Sequence, residues 1–288
     1  MGVMKYIGYA LFFLASVVFG VYQTFPWDVV KDRAFNAIKK QSGVTITADS
    51  LEPNWITGIE AEKVEISLKP NQDPIKLDSL KARAKVFALI QGKTGLSFSA
   101  PIARGNVDAD IVMDQETAVI EAEIEKIQLE LVPALRAANV PLSGKVSLSS
   151  DLTWGLKAPK KTEGKVTIKF QDFVAEKGIK VGMFPLPRDF DLGSFQLDLP
   201  MKEGKVLLKN QKVAGKDVEL TLDGTITLMK PIHRSALNLD VGFKPTEALL
   251  KADPLIKALL KNIKGKKDSK GFQKFKVTGT FNRMYTRS

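Results

Sequence analysis

The stretch "LSGKVSLSSDLTW", residues 142–154, decides the fold. Val146, Leu148, Leu152 and Trp154 fall on one side of it and Lys145, Ser147, Ser149, Asp151 and Thr153 on the other. That period of two belongs to a strand with one apolar face. Its Gly144-Lys145 pair returns as Gly164-Lys165 and Gly204-Lys205, which raises the question of a phosphate-binding loop. Such a loop needs a second Gly five positions earlier, a hydroxyl directly after the Lys, and a helix. All three lysines are followed by Val, and the single Gly-Lys-Thr, at 92–94, has Phe87 where the first glycine belongs. The glycines therefore mark turns, bulges or close backbone approaches within strands, and each lysine is the first solvent-facing residue.

Working outward, Val166, Ile168 and Phe170 alternate with Thr167 and Lys169, Ile226 and Leu228 with Thr225 and Thr227, and Phe275 and Val277 with Lys274, Lys276 and Thr278. Further rows are Val107, Ala109, Ile111 and Met113, and Phe195, Leu197 and Leu199. Clean alternation implies an antiparallel sheet with one apolar and one wet face. A dozen strands are expected to twist and curl. The fold class that follows is mostly β: an elongated, curled antiparallel sheet, groove or sandwich, with a few short helices. The expected lining of its apolar side is Val107, Ile111, Val146, Leu148, Trp154 and Val166, continued by Ile168, Phe170, Phe195, Leu197, Ile226 and Phe275. Those residues suit either an ordinary packed core or an open lipid groove. Trp55 and Trp154 are expected in a core, where aromatics supply large buried area. "LELVPALRAANVPLSG" reads as a helical interruption bounded by Pro133 and Pro141, dividing a β region at 43–140 from a second at 141–288. A helix is expected from Thr246, whose hydroxyl suits the N-cap, through Pro254 to Leu260.

The chain has 288 residues, 44% apolar and 26% charged, enough for one or two domains with a real core. It has no Cys and one His, His233, which excludes disulfide frameworks, thiol nucleophiles and paired-histidine zinc sites. No G-x-S-x-G elbow accompanies His233, so a surface role is expected for it. Asp108 with Asp110, and Glu121, Glu123 and Glu125, are i, i+2 rows on a wet strand face, without the further oxygen ligands a calcium loop needs. No catalytic residue, cofactor or metal site is expected, and the chain is read as a non-enzyme.

Net charge is +11, and residues 254–288 hold ten Lys or Arg against one acid. Lys264, Lys266, Lys267 and Lys270 suit either contact with an anionic surface or an ordinary solvated basic loop around "KNIKGKKDSKG". Nucleic acid is not an expected partner, because no binding module surrounds these charges. At the other end, "YIGYALFFLASVVFGVYQTF", 6–25, carries no charge over 20 residues and suits a single transmembrane helix preceded by residues 1–5. Tyr6, Tyr9, Tyr22 and Trp27 fit the headgroup regions. Residues 26–42 read as a juxtamembrane amphipathic helix capped by Gly43. Lys31, Arg33, Lys39 and Lys40 follow the span, whereas only Lys5 precedes it, a count that by itself favours a cytoplasmic domain, although long domains can be translocated regardless of flanking charge.

The order of these features resembles one family. The anchor, "FPWDVVKDRAFNAIKKQSGVTITADSLEPNWITGIEAEKVEIS" after it, the central "LELVPALRAANVPLSGKVSLSSDLTW", and "LDGTITLMKPIHRSALNLDVGFKP" with "FKVTGTF" are similar to GspN, the N protein of type II secretion systems, and more widely to AsmA-like envelope proteins. The resemblance covers most of the chain. It implies an inner-membrane anchor with residues 1–5 in the cytoplasm, the main domain in the periplasm, and other type II secretion subunits as partners. Through the AsmA-like group it also implies a sheet suited to phospholipid. No catalytic residues come with it.

Overall fold

The computed structural model describes residues 44–55, 57–67, 74–132, 140–178, 187–252, 266–281 and 283–287. Isolated described positions are 32, 35, 36, 39, 40, 135, 180, 181, 184, 185 and 254. The expected anchor at 6–25 and its cytoplasmic leader lie outside the described residues. Asp32, Phe35, Asn36, Lys39 and Lys40 are helical, within the span expected for the juxtamembrane helix. Among the described residues no helix is long and apolar enough to cross a membrane. The chain divides into two compact units, 1–83 and 84–288.

In the first unit β3 (Gly58–Ser67) is central. It pairs on one side with β4 (Ile75–Ala84) and on the other with β1 (Thr45–Thr47) and β2 (Ser50–Asn54), all antiparallel. Leu51 sits opposite Ala61 and Val64 opposite Leu77, and these four are the buried side chains among the described residues of this unit. On the polar side Glu60 faces Lys81 at 3.5 Å and Glu65 faces Lys76 at 3.2 Å. Trp55 is not in a core: it occupies the β2–β3 turn with φ 61° and is 77% exposed. Leaving the ladder at a left-handed turn residue takes its ring off the apolar face.

The second unit is one antiparallel meander in which sequence neighbours are sheet neighbours. Its strands are β5 (Thr94–Ile102), β6 (Gly105–Met113), β7 (Thr117–Gln128), β8 (Leu142–Gly155), β9 (Glu163–Ala175), β12 (Phe190–Lys202), β13 (Lys205–Ala214), β14 (Val218–Thr227), β15 (Ala236–Pro245) and β17 (Gln273–Thr280). A small separate hairpin of β10 (Lys180–Val181) and β11 (Phe184–Pro185) interrupts the run. Both β16 (Lys266–Lys267) and β18 (Arg283–Arg287) pair with β17. Two short helices accompany the sheet, α1 (Val86–Ile90) and α2 (Glu247–Ala252). β7 and β8, on either side of residue 140, are ladder partners.

Strong curl, expected for so many strands, is absent from this sheet. Nearly all substantial strand contacts are between ladder neighbours, and no second sheet packs on it among the described residues, so neither a deep groove nor a sandwich forms. In-register side-chain ladders are the devices that hold wide sheets flat, and five-strand ladders run here without a break. Gly144 sits at a bulge with φ 114°, and a Cβ there would lie 2.6 Å from the Asp172 carbonyl oxygen on β9. Gly164 has φ 134°, and a Cβ would lie 2.2 Å from the Asp151 oxygen, so the glycines are close-approach points, as their sequence context implies.

Three bulges, the one opposite Gly144 among them, share one construction. Lys126, Asp172 and Asn210 take left-handed φ of about 50°, and each donates its N–H to a side chain on the adjacent strand. The acceptors are Ser147 Oγ at 3.0 Å, Ser194 Oγ at 3.1 Å and Asp223 Oδ1 at 2.7 Å. Each extra residue restores the face parity of the apolar side chains beyond it, so Ile127, rather than residue 126, continues the row of Ile124.

Candidate functional site

Tracing register across the second unit puts all twelve expected lining residues on one face. Val107, Ile124, Leu148, Ile168 and Leu197 are successive cross-strand partners. So are Ile127, Val146, Phe170 and Phe195. A third row runs Ile111, Ile120, Leu152, Gly164, Met201, Val206, Ile226 and Leu237. Val166 pairs with Leu199, Trp154 with buried Ala118, and Phe275 with Val241. Eight strands at about 4.8 Å spacing make that third row about 34 Å long.

Burial along this face is uneven. At one end Phe190, Leu192, Val213 and Val218 are buried under α2, whose Leu249 is 1% exposed. Thr246 caps α2 as expected: its Oγ1 accepts from the Leu249 N–H at 3.3 Å and donates to the Lys216 carbonyl at 2.8 Å. Near the opposite strand ends Thr162 and Ser235 are fully buried, in loops that follow the 3-10 turns Pro159–Lys161 and Ile232–Arg234. Their hydroxyls accept from the N–H groups of Gly155 and Met229. Between these closed ends Val146, Leu148, Val166, Ile168, Phe170, Phe195, Leu197 and Leu199 are all only half-buried. Phe170 stacks on Phe195 with centroids 4.6 Å apart, and Phe173 meets both edge-on, joining the half-open middle to the buried end. The result is an apolar strip crossing the strands, closed at its margins and in contact with solvent along its middle.

The reverse face carries the charge. Asp108 faces Glu123, Asp110 faces Glu121, and Glu121 faces Asp151, so carboxylates oppose carboxylates. Lys85 reaches Asp110 at 2.8 Å and holds that carboxyl below its ordinary range by hydrogen bonding. Lys165 does the same for Asp198 at 2.7 Å, aided by Gln196 and Thr167, which brings Asp198 to about 2. Among the described residues no group of His, Asp and Glu is arranged to hold a metal ion. His233 is exposed in its 3-10 turn.

Of the expected anionic-surface lysines, Lys266 and Lys267 form β16, Lys270 is exposed in the turn at 268–271, and Lys264 lies outside the described residues. Asp268 builds that turn by accepting the N–H groups of Lys270 and Phe272, each at 2.9 Å, and these bonds depress its carboxyl. A cavity of about 400 Å³ beside it is lined by Lys212, Thr221, Lys270, Phe272 and Lys274 among others. Lys274 is committed there already, 3.6 Å from Asp268 and 3.3 Å from Thr221 Oγ1.

Two surfaces escaped the sequence reading. In α1, Val86, Phe87, Leu89 and Ile90 are 45 to 83% exposed and only Ala88 is buried. Their signal is a short apolar run without alternation, bounded by Lys85 and Gly92. In β18, all five residues are exposed. No protein-family model matches the chain, and neither does any curated protein or solved structure.

Proposed function

We propose that this chain is a non-enzymatic, inner-membrane-anchored periplasmic component of a type II protein secretion system, acting by binding and scaffolding. What supports the reading is that three of the segments carrying the resemblance to GspN are strands of one antiparallel sheet. "LSGKVSLSSDLTW" lies in β8, "LDGTITLMKPIHRSALNLDVGFKP" runs through β14 and β15, and "FKVTGTF" lies in β17. A sheet of this kind offers partners its faces and edges rather than a reactive centre. Deleting the gene in its host and assaying culture supernatants is the test. Exoproteins should accumulate inside the cell, and unchanged export would overturn the reading.

A second reading is favoured by one observation, the half-exposed apolar strip. It suits the acyl chains of a phospholipid, in the manner implied by the AsmA-like resemblance. Removing apolar surface from water yields about 25 cal/mol per Å², so the half-buried row from Val107 to Leu197, about 19 Å across its five strands, rewards an elongated apolar ligand. Residues 43–288 purified without detergent should carry phospholipid measurable by mass spectrometry, and replacing Ile168 with Asp should strip it. A lipid-free preparation that takes up no phospholipid from vesicles would sink this reading while leaving the first intact.

A further inference from the structure

The edge of the second unit combines two features that the scaffolding reading, which invokes edges only in general, leaves unspecified. β17 is flanked on its outer side by β16 and β18, and among the described residues no strand pairs with the outer side of β18. An unpaired edge presents a row of free N–H and C=O groups, a template for one more strand. Its charge is one-sided. Arg287 sits opposite Lys276, and Lys266 is at the register position opposite Lys274. Like charges directly across a ladder are destabilising. Lys276 has Asp240 across from it on β15, but Arg283 and Arg287 face no acid on either side among the described residues.

Alternation then dictates what fits. Arg283, Tyr285 and Arg287 lie on the polar face, whereas Met284, opposite Gly279, continues the apolar one. Met284 is 63% exposed and Tyr285 58%. An added strand would place alternate side chains over Arg283 and Arg287 and the intervening ones beside Met284. We infer that the outer edge of β18 accepts an extended segment of another protein, acidic at alternate positions and apolar between, as a further strand of the sheet. Main-chain hydrogen bonds supply affinity in such additions and the alternating side chains supply selectivity. The two arginines also make a second copy of this edge the wrong partner, since edge-to-edge pairing would gather four guanidinium groups. Charge here admits an acidic strand and repels self-association.

The test uses the full chain in uncharged detergent and a fluorescent Glu-Val-Glu-Val-Glu-Val-Glu peptide, followed by anisotropy. Saturable binding is expected, and a Lys-for-Glu peptide should bind at least about tenfold more weakly. A peptide of the same charge, N-methylated at alternate amides, should lose binding, which separates strand addition from attraction to a basic surface. Hydrogen exchange should slow at 283–287 when the acidic peptide binds. The Arg283→Glu/Arg287→Glu variant should reverse the peptide preference. Equal binding by the N-methylated peptide, unchanged exchange at 283–287, no binding by any peptide, or self-association of the chain through this edge would each overturn the inference. Because exchange and the methylated peptide are read on the native chain, the outcome does not depend on the variant folding.

Discussion

Truncating Leu249 and Leu197 to Ala, one at a time, measures whether the apolar strip is open. Leu249, on α2, is 1% exposed and packs onto Phe190, Leu192, Val213 and Val218. Its three lost carbons forfeit about 2.4 kcal/mol at about 0.8 per buried CH2. The enclosed cavity raises the loss to about 3 to 4 kcal/mol. Leu197 makes the same chemical change in the middle of the strip, opposite Ile168 and only half-buried. Half the transfer term is at stake and no closed cavity forms, so the loss is about 1 kcal/mol. Urea unfolding of the chain from residue 44 onward, in detergent-free buffer and followed by circular dichroism, reads both. With m unchanged, the midpoint of Leu249→Ala should fall about three to four times as far as that of Leu197→Ala. Equal losses would mean that Leu197 is covered in solution, and the open strip would be refuted.

Three further outcomes follow from local geometry. Asp223→Ala removes the acceptor of the Asn210 N–H at its bulge and should cost about 1 kcal/mol in the same urea assay, whereas Asp223→Asn should recover most of it. Thr246→Ala should cost about 1 kcal/mol by uncapping α2, with Thr246→Ser close to wild type. Asp198 should titrate near 2 by carboxyl NMR, below its ordinary 3.8, because Lys165, Gln196 and Thr167 all bond its charged form. A depressed carboxyl stabilises the fold above its ordinary value and loses that contribution as pH falls through about 2. Lys165→Gln should move the midpoint upward, and a wild-type midpoint at 3.8 or above would contradict the assigned hydrogen bonds.

How much of this was legible depends on the range of each signal. Alternation is local, so the rows at 107–113, 146–154, 166–170 and 195–199 could be read from the sequence, and register carries them onto one face. The N-cap at Thr246 is equally local. Turns built from unusual residues were not legible: Ala103 and Arg104 both take positive φ between β5 and β6, where Asn-Gly would have announced a hairpin. Nor were the bulges at Lys126, Asp172 and Asn210, whose left-handed backbones depend on acceptors in other strands. Trp55 shows the limit of composition, because an aromatic is buried only if its backbone stays in the ladder. Curl failed for a different reason: strand number sets a tendency to coil, while in-register ladders decide whether the tendency is realised.

A single-layer sheet of this kind has its own energetics. Because strands of the second unit meet mainly their ladder neighbours, stability is close to a sum of strand terms and nearest-neighbour interfaces, as in repeat proteins. Such arrays need sealing where the sum stops. Along the strands, α2 and the loops at Thr162 and Ser235 close the two margins of the apolar face. Across the strands, β18 ends the described ladder with arginine rather than with a covering element. Those two kinds of margin have different consequences. A margin closed by packing commits its side chains to the fold, so substitutions there register as lost stability. A margin left with paired like charges and free backbone groups gains from an added partner, so Arg283 and Arg287 should tolerate substitution in the isolated chain and register only when a partner strand is present. Unfolding and binding measured on the same Arg283→Glu/Arg287→Glu protein therefore separate the two, and a variant that lost stability instead of partner selectivity would place the arginines in the fold.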